Sequence, residues 1–168
     1  MRFSWKDIDR IKSYCDLPII IKGIATKEDA ILAVEHGVEV IYVSNHGGRQ
    51  LDFGLGGLKV LPEIVDAVGK DTTIFFDGGI MRGTDVIKAL SLGADVVGIG
   101  RLQGLAAAAG GSKAIYRMLE LLELEIITCL RLLGVNDITD LNSSLLTKDD
   151  SFGTLDALSA FPLINEGY

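Results

Sequence analysis

The chain has 168 residues, of which 48% are hydrophobic and 23% charged, the make-up of an ordinary globular protein with enough apolar mass for one core. A single domain is the default expectation. The formal net charge of −7 and the absence of any basic stripe exclude electrostatic binding to nucleic acid or an anionic membrane, which leaves small molecules as the expected partners.

Taken from the N-terminus, Pro18 to Ile21 is a short apolar run ending at Lys22-Gly23, the signature of a buried parallel strand. Thr26 opens a helix with Asp29 three residues on. Ala30, Ile31, Ala33 and Val34 supply its inner face, and Gly37 is the expected left-handed stop. The unit then repeats. Val38 to Val43 reads as a strand, Ser44 to Gly57 as a glycine-rich loop, and Leu58, Leu61, Ile64, Val65 and Val68 fall at helical spacing. Thr73 to Phe76 is a third strand, followed by Asp77-Gly78-Gly79, a helix from Thr84 to Leu92 and a stop at Gly93. Asp95 to Ile99 is a fourth, ending in Gly100-Arg101; a small alanine-rich segment leads into a long helix from about Ser112 to Leu133. Asn136 to Leu146 reads as a short terminal helix. From Thr147 onward the periodicity fades, so 147–168 is expected to be a loosely ordered tail without function.

Strict strand-helix alternation demands a parallel sheet, either doubly wound or closed as a barrel. Lys22, Ser44 to Arg49, Asp77 and Arg101 all fall at C-terminal strand ends, and polar residues after every strand favour the active face of a β/α barrel over the single switch point of a doubly wound sheet.

The stretch Ser44-Asn-His-Gly-Gly-Arg-Gln-Leu-Asp52 sets an imidazole and a guanidinium three residues apart on a glycine-softened strand end. Arg49 offers a planar fork to a carboxylate, and His46 has a pKa suited to base work near neutrality, a pairing that matches a 2-hydroxy acid. Alone, the pair reads equally well as a surface histidine and a solvated arginine. Gly47 and Gly48, which let backbone approach a ligand closely, shift the balance.

Together with Leu17-Pro-Ile-Ile-Ile-Lys-Gly-Ile24, Asp77-Gly-Gly-Ile80, Arg82-Gly-Thr-Asp85 and Gly98-Ile-Gly-Arg101, this stretch resembles the FMN-dependent α-hydroxy-acid oxidase and dehydrogenase family, from about Phe3 to Leu146. Glycolate oxidase and the lactate and mandelate dehydrogenases are members. The resemblance implies a parallel β/α (TIM) barrel, of which residues 1–146 would be the C-terminal half, strands five to eight with their helices. It also implies FMN as cofactor and an L-2-hydroxy acid as substrate. Lys22 would lie beside the flavin pyrimidine edge, where a fixed cation stabilises charge on the ring. Ser44 would hydrogen-bond the flavin, Asp77 the ribityl hydroxyls or neighbouring amides, and Gly78, Gly79, Gly100 and Arg101 would surround the phosphate. His46 would take a proton from the substrate while Arg49 anchors its carboxylate.

The family usually places an arginine before the position of Arg82, and here that residue is Met81. Either Arg82 swings inward or Arg101 carries the phosphate alone, at a cost of about 1–3 kcal/mol of binding. Four strands also leave two unpaired edges and an uncovered interior. The expectation is therefore self-association or pairing with an N-terminal half-barrel fragment. Two alternatives stand beside the enzyme: a non-catalytic remnant that binds FMN or phosphate, and another FMN or phosphate barrel, against which His46 with Arg49 argues. Cys15 and Cys129 are in no ligand spacing, so no disulfide or metal is expected, and no run approaches the ~20 apolar residues of a membrane span. These features, with no signal-like start, set the expectation of a soluble, cytoplasmic protein.

Overall fold

The computed structural model describes residues 3–148. Its elements are α1 (Trp5–Lys12), β1 (Ile20–Ile24), α2 (Lys27–Glu35), β2 (Val40–Val43), α3 (Gly57–Val68), β3 (Thr73–Asp77), α4 (Gly83–Ser91), β4 (Val96–Gly98) and α5 (Arg101–Leu133), with 3-10 turns at His46–Gly48, Ile138–Asp140 and Ser143–Leu145. The strands form one parallel sheet in the order β1-β2-β3-β4. Chain-order neighbours joined by helices make an arc of the kind found in half of a β/α barrel.

Local chemistry explains the helix boundaries. The Thr26 hydroxyl accepts a hydrogen bond from the Asp29 N–H at 3.3 Å and so caps α2, while Gly37 closes that helix at φ +70°. Gly93 closes α4 at φ +97°, and it is also pressed against α3, since a Cβ there would lie 2.6 Å from Val65 Cγ1. Alternation then sorts the strands. Ile41, Val43, Ile74 and Phe76 are fully buried on the helix side, against Ala30 and Ala33 of α2 and Val60, Leu61, Ile64 and Val68 of α3. Each such aliphatic or aromatic burial is worth about 1.5–3 kcal/mol. On the other face, Lys22, Tyr42, Phe75 and Val96 are paired in one row across all four strands, and no element covers them among the described residues.

Several expectations shift. β1 begins at Ile20 rather than Pro18, which has no N–H to give the ladder, and runs on to Ile24 through a bulge at Gly23 with φ +106°. Lys22 and Gly23 thus lie inside the strand. β1 is also an edge, so it is largely exposed rather than buried, and Ile20 retains 51% of its surface. Ile31, expected on the inner face of α2, points outward, because Ala30 and Ala33 occupy the buried side of that short helix. The alanine-rich segment is helical: α5 starts at Arg101 and is interrupted only at Gly110 and Gly111. Asn136 to Leu146 is not one helix but two 3-10 turns. The side chains of Asp137 and Asn142 take the N–H groups of Thr139 and Ser144 at 2.8 and 3.1 Å, in competition with α-helical bonding.

Helix α1 was not foreseen. Ser4 and Asp7 form its capping box, Ile8 buries its inner side, and Trp5 stacks on His36 at the end of α2 with ring centroids 5.6 Å apart. Lys12 reaches the Gly37 carbonyl and, at 2.7 Å, Glu39, which also accepts the Ile19 N–H just before β1. The tail expected at 147–168 falls, from residue 149 on, outside the described residues; 147 and 148 carry neither helix nor strand.

Candidate functional site

The C-terminal strand ends gather two adjoining features. The first is a polar cluster drawn from three neighbouring strands. Lys22 of β1 donates to the Ser44 hydroxyl and to Asp77 Oδ2, both at 2.6 Å, and Ser44 in turn donates to Asp77 Oδ1. Ser44 is buried, at the point where β2 gives way to its loop, and its hydroxyl also accepts the His46 N–H at 3.1 Å. Burial on its own pushes the Asp77 carboxyl up, but hydrogen bonds from Lys22 and Ser44 and the ammonium charge more than reverse this, so it titrates below its ordinary value. The carboxylate is therefore ionised at neutral pH, and Lys22 is paired with it.

The second feature is a cavity of about 390 Å³ whose lining includes Gly47, Gly48, Gly78, Gly79, Lys88 and Arg101. Gly48 and Gly79 hold φ values of +73° and +75°, and a Cβ at Gly48, Gly79 or Gly100 would meet nothing within 4 Å. The space before these backbones is open. At Gly47 the opposite holds: a Cβ would come 2.9 Å from Arg101 Nη2, and the guanidinium donates to the Gly47 carbonyl. Open glycine backbone beside a multi-donor guanidinium suits a phosphate group, and the cluster beyond it supplies a cation, a hydroxyl and a carboxylate for the polar parts of a larger cofactor. The residues present thus fit a phosphorylated flavin.

His46 and Arg49 lie on one short turn, His46 at its first position with φ +56° and Arg49 as its cap, and both side chains are exposed. The turn is pinned by Asn45, whose side chain accepts the Gly48 N–H at 3.1 Å and donates to the Leu55 carbonyl at 3.2 Å. His46 Nδ1 lies 3.0 Å from the Gln50 amide nitrogen, which leaves Nε2 for other partners. Neither His46 nor Arg49 lines the glycine cavity; they stand beside it. Gly100 is not in its lining either, while its neighbour Arg101 is.

Arg82 does not swing inward. Its guanidinium is held by Glu125 of α5, with Nε and Nη2 at 2.8 and 2.7 Å from Oε1, while Glu125 Oε2 accepts the Gly83 N–H at 2.7 Å. Arg82 ties α4 to α5 and does not turn to the cavity. Met81 faces a separate apolar groove with Leu102, Leu105 and Met118, so Arg101 is the arginine the cavity possesses. Residue-level reading missed Glu125, Gln50 and Tyr42. Tyr42 had a signal: it stands two residues before Ser44, and period-two alternation puts both on one face of β2.

Fold and site together are those of half of a β/α barrel, with a glycine-lined cavity and a lysine-centred polar cluster at its strand ends. Residues 1–148 match the family model described as FMN-dependent dehydrogenase, and the chain belongs to that family. It is 47% identical over 148 residues to an L-lactate dehydrogenase (cytochrome) of Wickerhamomyces anomalus, covering 85% of this chain and 26% of that one. To an L-lactate oxidase of a Nostoc strain it is 45% identical over 145 residues, covering 85% of this chain and 39% of the other. Among solved structures, an (S)-mandelate dehydrogenase described as a monotopic membrane protein superposes with a TM-score of 0.84 at 33% identity, over 88% of this chain and 39% of that one. The chain thus spans well under half the length of these relatives. No helix among the described residues is long and apolar enough to cross a membrane.

Proposed function

We propose that residues 1–146 are the C-terminal half of an FMN-dependent barrel, its strands five to eight, and that they carry the catalytic side chains for oxidation of an L-2-hydroxy acid to the 2-oxo acid. The observation that carries this reading is the Lys22, Ser44 and Asp77 cluster, closed at 2.6 Å beside a glycine cavity that holds Arg101. FMN, when bound, supplies the acceptor for the two electrons that leave the substrate. Arg101 and the backbone around Gly78, Gly79 and Gly100 hold its phosphate; Ser44 and Asp77 meet its polar edge and ribityl chain; and Lys22 presents a fixed positive charge where negative charge builds on the ring.

The substrate's carboxylate docks on the Arg49 fork, and His46 accepts a substrate proton at Nε2. Acceptance at Nε2 requires the ring proton to sit on Nδ1, with the Gln50 amide turned to offer its oxygen there. Completion of the barrel falls to a partner surface, either a second copy or an N-terminal half-barrel, because among the described residues nothing covers the row Lys22, Tyr42, Phe75 and Val96 or pairs with the outer edges of β1 and β4.

A second reading, a half-barrel that binds FMN or phosphate without turnover, draws support from the position of His46 and Arg49 beside the cavity rather than in its lining. Titration of the chain with FMN, followed by L-lactate, glycolate or mandelate, separates the two. Bleaching of the flavin band is the expected outcome for the enzyme. Binding without bleaching by any of the three acids favours the second reading, and no binding of FMN removes turnover by the isolated chain and leaves the second reading only as a phosphate site.

A further inference from the structure

Tyr42 belongs to neither the cradle nor the substrate pair, yet the polar cluster is built around it. The Lys22 ammonium stands 4.5 Å from the centroid of the Tyr42 ring, while Ser44 and Asp77 take the same ammonium at 2.6 Å each. Phe75, next in the row, props the ring edge-on at 5.6 Å and 72°. That orientation sends the phenol oxygen to the seam between β3 and β4, beside Asp77 and Gly98. A Cβ at Gly98 would lie 2.3 Å from this oxygen and 3.3 Å from the Asp77 Cβ. Gly98 does not have a positive φ, so room for the phenol, and not backbone freedom, accounts for glycine at this strand position.

We propose that Tyr42, admitted by Gly98, is a positioning residue that locks the Lys22 ammonium and the Asp77 carboxylate into one unit and thereby fixes where the cluster's cation points. The ring supplies a π face that keeps the ammonium from swinging along the open sheet, and the hydroxyl supplies a third donor to a carboxylate already bonded by Lys22 and Ser44. Burial first, and then the Asp77 charge and hydrogen bond, raise the phenol's own pKa, so it remains protonated and able to donate.

The inference deepens the proposed function, and two of its three readouts need no flavin. In the full chain, Gly98→Ala lowers the unfolding midpoint, because the new methyl group meets the phenol oxygen. In the Tyr42→Phe background that oxygen is gone, the nearest ring carbon is 3.4 Å away, and most of the loss is recovered. An equal loss in both backgrounds overturns the inference. Should Gly98→Ala fail to fold, carboxyl carbon NMR of Tyr42→Phe decides: the Asp77 titration moves up toward its ordinary range, and an unmoved titration overturns the inference. With FMN bound, Tyr42→Leu makes the flavin's reduction potential more negative as Lys22 loses its seat, and an unchanged potential likewise overturns it. A chain that binds no FMN in any variant removes turnover by the isolated chain instead and leaves the first two readouts to decide the role of Tyr42.

Discussion

Arg49 and Asp77 handle charge in opposite ways: among the described residues the Arg49 guanidinium makes no hydrogen bond, while Asp77 spends its lone pairs on Lys22 and Ser44. Arg49→Lys replaces a planar fork by a point charge. Under the proposed function the apparent KM for the hydroxy acid then rises about tenfold, as loss of one charge-assisted hydrogen bond dictates, with a smaller change in kcat. Steady-state kinetics on lactate would expose the error if KM stayed put. Asp77 has its carboxyl pKa lowered from 3.8 on folding, so its contribution to stability is fully present above that value and is lost as pH falls through the lower folded one. Asp77→Asn removes the contribution. Urea unfolding of the two proteins should show the native chain more stable at pH 7, with the gap narrowing below about pH 4 as the carboxylate is protonated. A gap that stays constant into acid would mean that the Lys22 and Ser44 bonds do not depend on the Asp77 charge.

At the scale of elements, the contact of α4 with α5 turns on Gly83. A Cβ at that position would lie 2.5 Å from Glu125 Cβ and 2.7 Å from the Ile126 nitrogen, while the Gly83 N–H and Arg82 both bond the Glu125 carboxylate. Gly83→Ala therefore pushes the helices apart and should cost about 1–3 kcal/mol, read as a lower thermal midpoint. A midpoint within error of the parent would show that the joint yields. This contact also marks how far the sequence carries. Thr26, Gly37 and Gly93 announce their helix ends because caps and left-handed stops are local chemistry, and the four strands are legible because their apolar runs are short and bounded. The order of strand-end polar residues is legible for the same reason, whereas a role for the glycines around the cavity comes only from the family resemblance. What the sequence hides is partnership across distance: Arg82 meets Glu125 43 residues on, a separation no spacing rule spans, and α1 is hidden because its Trp5 finds a partner in His36 and its Lys12 in Glu39, both beyond the helix. Lys22 was seen, but its place inside a bulged strand rather than after one was not, since a bulge depends on what its partner strand does.

At the scale of the whole molecule, the sheet has one face filled by helices and one without a cover among the described residues, with Ile20 and Val96 about half exposed on it. Apolar rows with unpaired edge strands seek partners. Sedimentation of the isolated chain should therefore show dimers or larger species at micromolar concentration, and addition of an N-terminal half-barrel fragment should draw it into a heteromeric species. A sharp monomer mass together with cooperative unfolding would count decisively against an open face.

The bulged register of β1 on β2 has a bearing on that assembly. Side chains on a strand alternate faces, so sliding β1 by one residue would send the ammonium of residue 22 into the helix layer and strand the hydroxyl and carboxylate without their cation. The trio can exist only when three strands have docked in one alignment. Its ion pair thus reports on strand alignment, forming only in chains whose sheet has paired in this register.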